Sequence, residues 1–329
     1  MATCLITGGA GFIGVNLVED LIKLTDWNII ILDRLDVVSN LQKLKEWEFN
    51  NRIRFIWWDL KSEINSGLRE LLKNVNYIIH LAASSHVTKS IQNPELFLLD
   101  NALGTLHILN FARTINSLNR FYYQSTDEVM GSAINRTFLE SDSTNPTNPY
   151  SAAKAAGESL VSAYSSTYKL PAIIGRCVNI YGKYQYHEKF IPLCIKYILE
   201  QKRIKIHSKY DISGSRYYLS TQALNEAILL LLKTTILDDR NQNIYNITSD
   251  NEISNLELAN KIAKIMKKDF KHILINIDPD RPNHDHRYSL DGHKLRSLGW
   301  YGFYEDFDSK LEELVNWYLD HPAYLNLEL

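Results

Sequence analysis

Thr7-Gly8-Gly9-Ala10-Gly11-Phe12-Ile13-Gly14 is the stretch on which the reading of the fold turns. The apolar run Cys4-Leu5-Ile6 precedes it and fits a buried parallel strand. Residues 15–24 follow as an amphipathic helix, then residues 28–32 as a second apolar strand closed by Asp33. Each part of this strand, turn, helix, strand, acid series has a physical task. Gly8 permits the tight turn, Gly11 lets the backbone approach a pyrophosphate, and Gly14 allows close helix packing. The helix start at Phe12 and Ile13 turns free N–H groups toward the phosphates. Asp33 lies 19 residues past Gly14, where a carboxylate can accept from an adenosine ribose. An acid there favours NAD over NADP, because a 2′-phosphate would meet like charge; the adjacent Arg34 weakens that preference.

The rest of the chain extends the same alternation. Strands are predicted at 53–58 (ending in Asp59-Leu60), 77–81 (ending in Ala82-Ala83), 120–124 and 171–176, with helices at 94–115 and 151–168. The fold class that follows is α/β, a doubly wound parallel (Rossmann) sheet. Gly11, Asp33, Asp59, Ala83 and Ser125 all fall at strand ends, where ligands of such sheets bind. Leu60, Leu81, Ala82 and Ala83 join the expected cofactor contacts; the alanines leave room over the strand end. After Gly182 helices and short strands come irregularly, which predicts a smaller, interleaved substrate lobe. The division expected is 1–180 with about 219–240 for the dinucleotide domain, and about 181–218 with 241–329 for the lobe.

Bulk properties exclude other classes. The chain has 329 residues, 45% hydrophobic and 22% charged, an ordinary globular composition. A net charge of −2 gives no electrostatic case for nucleic acid or an acidic membrane surface. Three scattered cysteines, Cys4, Cys177 and Cys194, fit neither a metal site nor a disulfide framework. They read as buried thiols in a reducing, cytoplasmic setting. Met1-Ala2-Thr3 runs into the first strand, so no leader is expected, and no apolar run is long enough to span a bilayer.

Two constellations carry chemistry. Tyr150-Ser151-Ala152-Ala153-Lys154 puts tyrosine and lysine on one helical face. A phenol with pKa near ~10 is a poor base at neutral pH, and a nearby ammonium lowers that value. Thr126 is placed to hydrogen-bond the substrate hydroxyl that Tyr150 deprotonates. Asp127 and Glu128 stand side by side at the end of the fifth strand. Hydride transfer alone needs no such pair. Elimination of water asks for one neutral and one ionised acid, and close carboxylates push their pKa values apart.

These motifs, with His80-Leu81-Ala82-Ala83, Ser85-His86-Val87, Ser125-Thr126-Asp127-Glu128-Val129, Asn148-Pro149-Tyr150-Ser151, Arg176-Cys177-Val178-Asn179, Glu188-Lys189-Phe190-Ile191-Pro192 and Arg281-Pro282-Asn283-His284, resemble the nucleoside-diphosphate-glucose 4,6-dehydratases. That group lies within the extended short-chain dehydrogenase/reductase family. The resemblance runs almost end to end. It implies NAD as cofactor and a nucleotide sugar as substrate. Tyr150 would take the 4-hydroxyl proton with Thr126 and Lys154, Glu128 the C5 proton, and Asp127 would protonate the leaving 6-hydroxyl. It also implies substrate contacts at Ser85, His86, Asn179, Lys189, Arg216, Arg281 and His284, with Tyr288 framing the nucleotide. A homodimer through the helices at 94–115 and 151–168 is implied too. Leu32-Asp33-Arg34-Leu35-Asp36 and Gly214-Ser215-Arg216-Tyr217-Tyr218-Leu219 look more like the UDP-glucose than the dTDP-glucose enzymes. A 4-epimerase or decarboxylase would share the redox step without water loss.

Four positions depart from the pattern. Met130 stands for a tyrosine, Thr88 for an aspartate, Lys209-Tyr210-Asp211 for a Gly-Asp-Gly turn, and Ser220-Thr221-Gln222 for an acidic helix start.

Overall fold

The computed structural model describes residues 1–236, 243–276 and 285–327. Its strands are β1 (Thr3–Thr7), β2 (Asn28–Asp33), β3 (Ile53–Trp57), β4 (Tyr77–His80), β5 (Arg120–Thr126), β6 (Ala172–Cys177), β7 (Asn179–Tyr181), β8 (Arg203–Lys209), β9 (Ile212–Ser213), β10 (Ser215–Ser220), β11 (Ile244–Ile247), β12 (Glu252–Ser254) and β13 (Lys271–Ile275). Seven of them form one sheet in the order β11-β6-β5-β4-β1-β2-β3. Every pairing in it is parallel. The central strands are apolar and buried almost throughout, as a sheet covered on both faces requires. The helices Phe12–Leu24 and Thr221–Lys233 cover one face through Val15, Val18, Leu224, Ile228 and Leu231. On the other face Leu68, Ile108, Phe111 and Val161 close a second core. The expected doubly wound sheet is therefore what the chain forms.

A third apolar core joins Ile191, Ile195, Leu258, Ile262, Leu311 and Val315 around two three-stranded sheets, β12-β10-β7 and β13-β8-β9. The stretch expected to be lobe from 241 onward begins differently. β11 is the edge strand of the main sheet, paired with β6. Its four residues are all buried. Only the long-range pairing tells such a strand from lobe core. Leu290, Leu295 and Trp300 also belong to the core on the face covered by the helices Phe12–Leu24 and Thr221–Lys233, and the Trp300 indole donates to the Ala223 carbonyl at 3.2 Å.

The expected helix at 94–115 is interrupted. Pro94–Leu98 and Gly104–Ala112 are α-helical, and Leu99–Leu103 is a π-helical turn. That wider turn sets two successive polar side chains on one segment. Asn101 exchanges hydrogen bonds with the Ser84 backbone at 2.8 and 2.9 Å, and Ser84 donates to Asp100 at 2.6 Å. The altered segments also have local explanations. Tyr210 and Asp211 form the two-residue turn between β8 and β9 with φ of 51° and 60°, the left-handed pair such a hairpin needs. Asn276 holds that turn through the Asp211 N–H and carboxylate. Ser220 caps the helix Thr221–Lys233 by accepting from the Ala223 N–H at 3.1 Å. Met130 is simply core, 1% exposed.

All three cysteines are free and buried. Among the described residues no helix is long and apolar enough to cross a membrane.

The glycine turn is the tightest packed part of the site's frame. Gly8 has φ +70°, and a Cβ on it would meet the Ala82 N at 2.7 Å. A Cβ on Gly14 would lie 2.4 Å from the Gly8 carbonyl oxygen, so the helix packs on the turn itself. Close approach to the sheet belongs to Gly9, whose Cβ would meet Ile31 Cγ2 at 2.9 Å. Gly14→Ala should destabilise the fold by about 1–3 kcal/mol, read as a lowered denaturant midpoint, because backbone cannot yield as a flexible side chain would.

Candidate active site

The functional side chains gather along the carboxyl edge of the sheet, as expected for this topology. Strand order reverses direction from β1 to β4, and the turn after β1 meets the Leu81-Ala82 segment after β4 there. Leu81 N–H donates to the Thr7 carbonyl at 3.1 Å and Ala82 N–H to the Thr7 hydroxyl at 3.3 Å. These bonds fix Leu81, Ala82 and Ala83 beside the glycine turn.

The dinucleotide half fits its expected ligand. The helix Phe12–Leu24 starts at Gly11 with no side-chain cap, so its first N–H groups keep their capacity for an anion. A Cβ on Gly11 would meet only the Gly8 carbonyl oxygen within 4 Å, at 3.3 Å, so Gly11 faces open space. At the end of β2, Asp33 accepts from the Ala10 N–H at 3.1 Å and the Leu35 N–H at 2.8 Å. Burial raises its pKa, and those two donors oppose the rise. Arg34, which weakened the NAD preference, is committed elsewhere. Its guanidinium grips both oxygens of Asp100 at 2.6 and 2.9 Å and reaches Asp36 at 3.1 Å. An arginine so neutralised is a poor receptor for a 2′-phosphate. Asp59 lies 3.8 Å from the same guanidinium, and buried Leu60 accepts from His107 through its carbonyl at 2.7 Å. Nothing in the sequence marked Asp100; only the π-helical turn brings it to Arg34.

The reaction half centres on the end of β5. Thr126 is the N-cap of a single 3₁₀ turn, Asp127–Met130, and accepts from the Glu128 N–H at 3.3 Å. Its hydroxyl donates to Asp127 Oδ1 at 3.1 Å and meets the Tyr150 phenol. Asp127 is buried, and its Oδ2 has no hydrogen-bond partner in the structure. Burial first, and then the charge of Glu128, push the Asp127 carboxyl up to about 7; Arg216 and Thr126 oppose the shift. Glu128 is half-buried and accepts from the Asn148 amide at 3.3 Å. The same Asn148 caps the helix Pro149–Tyr168 in a reciprocal arrangement with Ser151. One short segment thus orients Glu128 and starts the helix that carries Tyr150 and Lys154.

Tyr150 is buried, with its N–H on the Ser90 hydroxyl at 3.2 Å. Burial raises its phenol well above the ordinary value, with Glu128 next in effect. Lys154 lies one helical turn on, 4% exposed. Its ammonium donates to the Gln124 carbonyl at 2.5 Å and lies over the Tyr123 ring, 4.2 Å from the centroid. A buried ammonium needs an acceptor, and the strand backbone supplies one.

The expected substrate cations behave differently from one another. Arg216 is 7% exposed and donates to the carbonyls of Ser215, Asp285 and His286 at 2.7 to 2.9 Å. It stacks over the Tyr288 ring at 4.6 Å and is near enough to Asp127 to lower its pKa. Tyr288 donates to Asp285 at 2.8 Å, and both Glu128 and Asp127 raise its pKa. Tyr288 therefore borders the acid pair itself. Lys189 donates to the Ser85 carbonyl at 3.1 Å, and His86 lies 3.6 Å from Glu188. Asn179 opens β7 beside Tyr218. Arg281 and His284 lie outside the described residues. Among the described residues no cluster of three metal-ligating side chains occurs.

A parallel sheet with a glycine cradle and a threonine–carboxylate–tyrosine–lysine edge defines a dinucleotide-dependent enzyme of nucleotide-sugar type. Comparison with known proteins makes the class specific. Residues 5–313 match the family model described as GDP-mannose 4,6 dehydratase. The dTDP-glucose 4,6-dehydratase of Salmonella typhimurium is 34% identical over 98% of this chain and 94% of its own. An Arabidopsis thaliana trifunctional UDP-glucose 4,6-dehydratase, 3,5-epimerase and reductase is 34% identical over 97% of this chain and 48% of its own. The solved structure of DesIV, a dTDP-glucose 4,6-dehydratase from Streptomyces venezuelae with NAD bound, superposes with a TM-score of 0.88 at 32% identity, covering 98% of this chain and 99% of that one. The chain belongs to the nucleotide-sugar 4,6-dehydratase family of extended short-chain dehydrogenases/reductases.

The Asp127 proton has a pH signature. The unfolded chain binds it only near ~3.9. Stability from this group is full below that value, falls as pH rises, and is lost through about 7. Asp127→Asn should therefore gain melting temperature relative to the parent at pH 8 but not at pH 4. In the parent, water elimination should slow as pH rises through about 7. An equal melting difference at both pH values would contradict a neutral Asp127.

Proposed function

We propose that this chain converts a nucleoside-diphosphate glucose to its 4-keto-6-deoxy product with loss of water. The buried Asp127 carboxyl, held neutral beside Glu128, is the observation that carries the reading. NAD would be held by Gly8, Gly11, Phe12, Ile13, Gly14, Asp33, Asp59, Leu60, Leu81, Ala82 and Ala83, and would supply the acceptor for hydride from C4 and the donor of hydride to C6. Tyr150, steadied by Thr126, takes the proton of the 4-hydroxyl. The 4-ketone acidifies the C5 proton, which Glu128 removes. Asp127 gives its proton to the departing 6-hydroxyl, and Glu128 later reprotonates C5. General acid–base help of this kind is worth roughly 10²–10⁴-fold per group. Ser85, His86, Asn179, Lys189 and Arg216 receive the sugar and its diphosphate, with Arg281 and His284 from the segment beyond. For Arg216 to do so its guanidinium must exchange a carbonyl for a phosphate oxygen.

The resemblance of segments 32–36 and 214–219 to the UDP-glucose enzymes favours uridine, so UDP-glucose is the first substrate to test. The thymidine reading has its own support in the dTDP-glucose relatives, which match over nearly their full length. The chain also pairs as a homodimer through the helices Pro94–Leu98, Gly104–Ala112 and Pro149–Tyr168. Ala152, Ser159 and Ala163 leave a small-residue, exposed stripe on the last of these.

Incubation with UDP-glucose and with dTDP-glucose separately, followed by mass analysis, tests the activity and the base together. The expected product is one water lighter than its substrate. An unchanged mass with an inverted C4 hydroxyl would make the chain an epimerase. Glu128→Gln should oxidise C4 and then stall, so the near-ultraviolet absorbance of enzyme-bound NADH should build up. Normal product release at near parent rate would remove Glu128 from the C5 step.

A further inference from the structure

Lys154 carries its ammonium into a place with little to hold it. It is 4% exposed, and its single strong acceptor is the Gln124 carbonyl. The charged and titratable groups facing it come from four elements. Glu158, one turn along its own helix, is already bound by Arg176, which donates to both its oxygens at 2.8 to 3.2 Å. Cys177 on β6 is a buried thiol whose pKa is raised, so it is neutral. His80 on β4 is pushed down to about 3 by burial and by Lys154, so it is neutral as well. From β5 the Tyr123 ring presents its face.

That ring is held as a fixture. Tyr123 has no exposure, and its hydroxyl donates to the Lys154 carbonyl at 3.2 Å and meets the Thr105 side chain. The His80 ring flanks it at 5.7 Å between centroids. Room for it exists because residue 157 is glycine: a Cβ there would lie 2.1 Å from the Tyr123 hydroxyl. The aromatic face carries the negative end of the ring quadrupole, and a cation over it is attracted most strongly when both are dry.

We infer that Tyr123 is a positioning residue for the hydride-transfer step, whose ring face keeps the Lys154 ammonium charged and aimed at the carboxyl end of β5. This rests on the reading of Lys154 as a member of the hydride-transfer set. The contact matters because the lysine has little margin. Burial pulls its pKa down to about 8, so it is mostly but not fully charged at neutral pH. A desolvated cation–π contact shifts such an equilibrium by about one pH unit. Loss of the contact lowers the charged fraction of the ammonium near neutral pH.

A substitution that empties the site could unfold it, so the test drains the ring's charge without changing its shape. Tyr123 is replaced by Phe and by mono-, di- and trifluorinated phenylalanines. The Lys154 titration is read by NMR on protein carrying 13C-labelled lysine, with Lys154→Arg assigning the resonance. The Phe variant should titrate like the parent. The fluorinated series should fall stepwise, by about one unit in total. The basic limb of the pH profile for C4 oxidation should move down by the same amount. A midpoint unmoved across the series overturns the inference, and so does a full drop already present in the Phe variant. Failure of the underlying reading looks different: Lys154→Met would oxidise C4 at the parent rate, whatever the titration series shows.

Discussion

Water exclusion at the carboxyl end of β5 is the constraint on which the site depends. In a polar setting Asp127 would ionise beside Glu128 and repel it. Buried, with one carboxyl oxygen unpartnered, Asp127 holds its proton up to about pH 7, so two adjacent carboxyls are set apart in acidity. The same dryness raises the Tyr150 phenol and lowers the Lys154 ammonium. Desolvation thus moves each group toward its neutral form, and the protein counters it selectively. Thr126 serves Asp127 and Tyr150, Asn148 serves Glu128, and the Gln124 carbonyl with the Tyr123 ring serves Lys154.

That dry pocket has to be built from two directions. The sheet supplies a floor of buried strands, and the 3₁₀ turn Asp127–Met130 bends the chain so that successive side chains diverge. The second wall comes from far along the chain. Arg216 and Tyr288 stack there, tied by Asp285, which also accepts from Thr147. The Arg216 guanidinium donates its hydrogen bonds to three backbone carbonyls. Such an arrangement spends donors on neutral acceptors that an anionic diphosphate can replace.

Much of this was legible in the chain. The glycine turn, Asp33 and the alternation of strands announced the parallel sheet, because each depends on local backbone rules. Tyr150 and Lys154 were found by helical spacing, and Thr126, Asp127 and Glu128 by their place after a strand. Other features had no local signal. β11 reads like any short buried run, so its place at the edge of the main sheet was invisible. The π-helical turn interrupts a pattern that reads as one continuous helix. Arg34 looked like a free cation until Asp100, 66 residues away, was seen to hold it.

The chain by itself determined the fold class and the candidates for the reacting groups. Turns, caps and strand ends are set by neighbours in sequence, and their residue types are limited by φ, hydrogen bonding and packing. The tertiary structure alone decided the protonation of those groups and the partners that hold them. Burial, and the distance from Lys154 to a ring on another element, are properties of packing that no spacing encodes. The acid at position 127 was readable as a carboxyl; only its enclosure made it neutral.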